Sequence, residues 1–136
     1  MAYDTIKSGI ATRLNALGYI ESSQITDFKN APVSEYGLRY IIKCLSGEMH
    51  DETIVDRFKD AQEWQILIAF ERSENNDITQ YEAAHRAKDA LLKDIDKPAN
   101  WAGIAEILKY KSWKLEETPN YYVLDTRLEI IDVITY

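Results

Sequence analysis

Trp64, Ile66, Ile68 and Phe70 alternate with Glu63, Gln65, Ala69 and Glu71, and this period of two is the strongest constraint in the sequence. Successive strand residues point to opposite faces, so the pattern predicts a strand over about Glu63–Arg72 with one apolar face against a core. Leu38–Leu45 repeats it: Leu38, Tyr40, Ile42 and Cys44 alternate with Arg39, Ile41 and Lys43. Cys44 is expected to be a small buried thiol on that apolar face. Two more strands are expected, Ile107–Glu116 with Trp113 and Leu115 on one face, and Tyr121–Tyr136 with Tyr122, Leu124, Leu128 and Ile130 on one side. There Ile131 and Val133 switch to the other side, which predicts a bulge or a strand buried on both faces. Pro119-Asn120 supplies the turn between these strands. The final IIDVITY is expected to be covered by a neighbouring subunit rather than left as a bare edge.

Apolar residues at three- and four-residue steps predict two helices. Ile6, Ile10, Leu14 and Leu17 share one face of a helix from Asp4 to Leu17, with Asp4 as N-cap and Gly18 as a left-handed C-cap. A second helix is expected over Ile78–Ile95, with Asp77 and Gln80 forming a capping box and Tyr81, Ala84, Ala87 and Leu91 as its buried stripe. Lys93 and Lys97 suit the negative end of its dipole, and Pro98 ends it. Between the first helix and first strand, Tyr19–Tyr36 reads as a long connection pinned by Ile25 and Phe28. The order α-β-β-α-β-β, with each strand pair a hairpin, predicts an α+β sandwich. It is a mixed or antiparallel sheet of about four main strands with both helices on one face, in one domain spanning 1–136.

Ser46–Gln62, SGEMHDETIVDRFKDAQ, interrupts the first strand pair. A hairpin connection usually needs about two to five residues. The excess predicts a long loop kept for binding or assembly.

Composition narrows the class of function. The 136 residues carry 16 Lys+Arg against 23 Asp+Glu, a formal charge of −7, which disfavours gripping nucleic acid through phosphate contacts. The longest apolar run, Ile66–Phe70, falls far short of the ~20 residues of a spanning helix, so no membrane association is expected. The amino end lacks the apolar core of a signal peptide, and the single Cys44 suits a reducing compartment. No glycine-rich phosphate loop and no GxSxG elbow occur. His85, with Glu82 and Asp89, reads as part of a solvated helix surface. Met49-His50-Asp51-Glu52 sets possible ligands side by side, where adjacent residues converge poorly on one ion, although a divalent cation linked to assembly stays open. No catalytic residue, metal or cofactor is expected. Nine tyrosines, three tryptophans and three phenylalanines offer more rings than a small sheet readily buries, and Trp101, Trp113, Tyr121, Tyr122 and Tyr136 divide between core filling and interface.

The chain as a whole resembles the tail terminator and tail-completion proteins of long-tailed bacteriophages, the lambda-like terminator family. The segments that carry the likeness are TIKSGIATRLNALGYI, EWQILIAFER, YEAAHRAKDALLKDI and the closing WKLEE through YYVLDTRLEIIDVITY, in that order. The resemblance implies a structural protein rather than an enzyme, assembled in the host cytoplasm and located in the virion. Copies would form a ring, typically a hexamer, on the head-proximal end of the tail tube. Such a ring ends polymerisation of the tube protein and presents a surface to the head connector or neck protein. DNA would slide through the lumen without specific binding, and the acidic charge would keep phosphate from sticking. Under this reading Glu48–Lys59 is the loop facing the tube or a neighbouring subunit. Asp51, Glu52, Arg57 and Lys59, with Glu48, supply complementary charge, while Ile54, Val55 and Phe58 supply an apolar anchor. The same loop folded back on the domain is the alternative. For the chain as a whole, the alternatives are another head–tail connector or neck component, or a small α+β enzyme or ligand-binding domain.

Overall fold

A computed structural model describes residues 3–22, 38–54, 57–73, 75–97, 101, 104 and 107–135, with backbone alone for 48–54, 57–59, 107 and 132–135. The elements run α1 (Tyr3–Ala16), β1 (Ile20–Glu21), β2 (Arg39–Ile54), β3 (Arg57–Glu71), α2 (Asp77–Ile95), β4 (Ile107–Glu117) and β5 (Tyr121–Thr135). The five strands form one sheet in the order β1-β2-β3-β5-β4. β1 joins β2 in parallel, and every other pairing is antiparallel. The expected α+β sandwich therefore holds, with the two-residue β1 added at one edge. The proposed pinning of Tyr19–Tyr36 by Ile25 and Phe28 lies outside the described residues.

Even-numbered residues of β3 and β5 face the helices. Trp64 pairs with Leu128, Ile68 with Leu124 and Phe70 with Tyr122. These side chains join Tyr40 and Ile42 of β2, Ile6, Ile10 and Leu14 of α1, and Ala84, Ala87 and Leu91 of α2 in one buried cluster. α1 approaches Ile104, which follows α2 in the chain, closely at its own smallest side chain. A Cβ on Gly9 of α1 would sit 2.8 Å from Ile104 Cγ1, and Ile104 is itself buried. Gly18 adopts φ 97° as the C-cap of α1, as its position predicts. Leu38 also lies in the left-handed region, at φ 59°, a conformation uncommon outside glycine.

The reverse face is buried too, through a smaller cluster of Ile41, Ala69, Tyr121 and Val123. This is more burial than the polar-out reading of that face predicts. Ile130 and Ile131 are both buried, and the β3–β5 register runs unbroken past them, so the strand is covered on both sides rather than bulged. Register shifts occur instead between Cys44 and Ser46, between His50 and Thr53, and between Tyr110 and Ser112.

The main departure from expectation concerns Ser46–Gln62. The long loop is absent: β2 continues to Ile54 and β3 starts at Arg57, with Glu48 opposite Ala61, His50 opposite Lys59 and Ile54 opposite Arg57. β5 extends the ribbon on the far side of β3, where Arg57 pairs with Thr135 and Ala61 with Ile131. Strand pairing here depends on backbone hydrogen bonds and needs no apolar alternation, which is why the periodicity of the sequence missed it. The carboxyl-terminal IIDVIT is likewise paired along one side by β3, not left bare on both.

Candidate assembly surfaces

The segment singled out for contact is thus a ribbon of three strands. Glu48, Asp51, Glu52 and Ile54 belong to β2, and Arg57, Phe58 and Lys59 to β3, while Val55 lies outside the described residues. Asp51 and Glu52 fall in the register shift between His50 and Thr53. Tyr3, the first residue of α1, stacks on Trp64 with centroids 5.4 Å apart, and beyond Trp64 the helix-facing positions of β3 turn polar at Gln62, while Ile130, its partner on β5, stays in the core. Trp64 Nε1 donates to Gln62 Oε1 at 2.7 Å, and Gln62 Nε2 donates to Asp60 Oδ2 at 2.7 Å. Gly47 leaves room for that carboxylate, since a Cβ there would lie 2.7 Å from Asp60 Oδ1.

Cys44 borders this polar edge. It is exposed, not buried as its place in the alternation predicts, because the irregularity between Cys44 and Ser46 ends the apolar face there. Partial enclosure, aided by the Asp60 carboxylate, pushes its thiol pKa up, away from thiolate character.

A polar strip occupies the reverse face. Asp125, 2% exposed, accepts from Gln65 Nε2 at 3.0 Å and from Arg127 Nε at 2.9 Å. Glu63 receives Arg127 and Lys111, both at 3.4 Å, and Lys114 bridges Glu116 at 2.9 Å. The Asp125 hydrogen bond raises the Arg127 pKa further. Two hollows of about 420 and 340 Å³ border this strip, and Glu63 and Lys111, paired at 3.4 Å, line both. Among the described residues no cluster of His, Cys, Asp and Glu fits a metal ion. The backbone of Met49–Glu52 lies within β2.

Along α2 and β4 runs a ladder of rings that sequence patterning missed. Tyr122 meets Tyr81 edge-on at 5.5 Å, Tyr81 meets His85 at 4.7 Å, and His85 meets Trp113 at 5.6 Å. Lys88 caps Trp113 and Arg72 caps Tyr122, each 4.7 Å from the ring centroid. His85 is therefore half-buried between rings rather than part of a solvated surface, because Trp113 rises from β4 to meet it. Tyr81 is exposed, not part of the buried stripe, since Tyr122 fills the space beneath it. Spacing at 81, 85 and 88 was the available signal, and only the β4 register links it to Trp113.

Arg72 ties this flank together. Its Nε donates to Asp77 Oδ1 at 2.9 Å, its Nη1 to the Thr118 carbonyl at 2.6 Å, and its Nη2 meets Glu117 at 3.0 Å. Hydrogen bonds from Arg72 and from the Tyr122 hydroxyl hold the Asp77 carboxyl below its usual pKa. Asp77 is thereby drawn away from the expected capping box. Asn76 takes the N-cap position without a side-chain bond to the helix, and its Oδ1 accepts from the Ser73 amide instead.

The remaining aromatic candidates divide between core and surface. Trp64, Trp101, Tyr121 and Tyr122 are buried, Trp113 is exposed, and Tyr136 lies outside the described residues. Among the described residues, exposed large hydrophobics include Ile20, Leu38 and Leu45 on or beside β1 and β2, and Tyr110 and Trp113 on β4, at the two opposite ends of the strand order. Next to the second group, a groove of about 630 Å³ separates α2 from β4 and is lined by Leu92, Ile95, Leu108 and Tyr110.

Two helices laid on one face of a five-stranded mixed sheet define an α+β sandwich. Among the described residues, no helix is long and apolar enough to cross a membrane. No protein-family model matches the chain, and a search of curated proteins returns no match.

Proposed function

We propose that this chain is the subunit of a ring that caps the head-proximal end of a bacteriophage tail tube, ends tube polymerisation and offers a docking surface to the head connector. The observation that carries the reading is the ribbon in which β2, β3 and β5 stay paired as far as Ile54, Arg57 and Thr135. An extension of paired strands is suited to meeting another protein sheet, because its backbone is already ordered and the entropy of folding a loop is not incurred on contact. The tube-facing role is then carried not by the expected loop but by a preorganised ribbon containing Glu48, Asp51, Glu52, Ile54, Arg57, Phe58 and Lys59.

The mechanism is geometric. Identical subunits meeting head to tail close into a ring only when the rotation per step divides a full turn, and a closed ring that matches the tube on one face alone halts growth. A formal charge of −7 suits a lumen through which DNA slides without retention. The neck-component reading differs only in the docking partner.

Polymerising tube protein with and without the purified chain tests the reading. Capped tubes that cease to lengthen are expected. A variant with Arg57 and Lys59 changed to Ala should lose capping while keeping its far-ultraviolet circular dichroism. Tubes that lengthen equally with and without the wild-type chain would remove the terminator role.

A further inference from the structure

Among the described residues, both lateral edges of the sheet lack a pairing strand over long stretches. β1 covers β2 only at Arg39 and Tyr40, and no described strand pairs with the outer edge of β2 from Ile41 to Ile54. On the far side, β5 is the one described strand that pairs with β4, whose other edge runs along Ile107–Glu117, 11 residues. An open edge of this length is a template for another strand.

We infer that successive copies join by antiparallel addition of one copy's β4 to the open stretch of the next copy's β2, so that the sheet runs on from subunit to subunit around the ring. This rests on the self-assembly half of the reading above and adds which edges meet.

Direction comes first. β2 and β5 run one way and β3 and β4 the other, as their antiparallel pairings require. A second copy set beside the first in the same orientation therefore brings its β2 antiparallel to β4, continuing the alternation without inverting a subunit. Copies in the same orientation around an axis are what a ring contains.

Charge comes next. β2 starts basic, with Lys43, and turns acidic at Glu48, Asp51 and Glu52. β4 is basic at Lys109, Lys111 and Lys114 and ends acidic at Glu116 and Glu117. Antiparallel alignment sets the acidic half of β2 against the basic half of β4, and Lys43 against Glu116 and Glu117. Parallel alignment would set like against like, at a cost that fixes direction.

Apolar surface is the third point. The exposed Leu38 and Leu45 beside β2, and the exposed Tyr110 and Trp113 of β4, flank these two edges. A head-to-tail contact needs two different patches on opposite flanks, and this distribution supplies them. A two-fold dimer would use one flank and leave the other wet. Bulges and charges also serve to keep strand edges apart, so association is the decisive readout.

The experiment is a charge swap followed by light scattering on size exclusion, with circular dichroism as the fold control. Wild-type chain should form a discrete oligomer that salt weakens. Lys109→Glu with Lys111→Glu, and separately Glu48→Lys with Asp51→Lys and Glu52→Lys, should each weaken association by about tenfold or more. Mixed one to one, the two variants should reassemble, because the swapped edges complement each other and the native edges still match. If the double β4 variant loses its fold, Lys109→Glu alone replaces it. A wild-type monomer at every concentration, a two-fold dimer that grows no further, an oligomer indifferent to the swaps, or a mixture that fails to reassemble would each overturn the inference. Rings that obey the swaps but leave tube growth untouched would discard the terminator reading and keep this interface. Tube capping by rings indifferent to the swaps would do the reverse.

Discussion

Asp94 on α2 holds the two helices and the following segment to one point. Its Oδ2 accepts from Arg13 Nε at 3.0 Å and from the buried Trp101 Nε1 at 2.7 Å, and its Oδ1 accepts from Arg13 Nη2 at 2.7 Å. Asp94→Ala strands the Trp101 N–H in an apolar setting and is expected to cost about 2–4 kcal/mol, read as a shift in the urea midpoint. An unchanged midpoint would show that the Trp101 N–H finds another acceptor. Nothing in the sequence marks this site, because an Asp near a helix end reads as solvated and its partner Arg13 lies 81 positions away. Tyr40 gives a prediction in pH. Burial, with the charge of Glu21, pushes its phenol up to about 12 from 10.0, against the opposing effect of the Asn15 side chain. The folded chain then keeps a proton that the unfolded chain releases. The stability gained is complete below about pH 10 and is lost as pH rises towards about 12. Tyr40→Phe should flatten that alkaline decline in thermal melts. An equally steep decline in the variant would assign it to other groups.

Helices and core strands were legible because burial writes its period into them. Ile6, Ile10 and Leu14 mark α1, Ala84, Ala87 and Leu91 mark α2, and Trp64 through Phe70 mark β3, each as its spacing predicts. What the spacing could not reveal was pairing without burial. From Ser46 to Ile54 the chain remains a strand, yet the irregularity after Cys44 shifts its parity, so the alternation read from Leu38 to Cys44 does not carry on. The contact residues therefore read as a loop. The aromatic ladder stayed hidden for a related reason, since it depends on a β4–α2 juxtaposition far apart in sequence. Helix packing supplies a sharper test. Gly9→Ala gains helix propensity of about 1 kcal/mol, yet its Cβ meets Ile104 Cγ1, Cγ2 and Cβ between 2.8 and 3.4 Å. Ile104 is buried and the contact reaches its branch point, so overpacking of about 1–3 kcal/mol should win. A melting temperature raised by the substitution would mean that the segment carrying Ile104 yields freely.

At the level of the assembly, the fold is asymmetric in the manner that head-to-tail contacts need. Among the described residues, one flank carries the outer edge of β2 with Leu38 and Leu45, and the other the outer edge of β4 with Tyr110 and Trp113. The paired ribbon of β2, β3 and β5 lies between those flanks. Under the proposed reading, shape and edge chemistry rather than bond-making would be the output of the chain. The most direct measurement is native mass spectrometry of the purified wild-type chain over rising concentration. The account predicts monomer giving way to one closed species of fixed stoichiometry, with no heavier forms. A ladder of ever larger oligomers, a terminal dimer, or monomer throughout would contradict it.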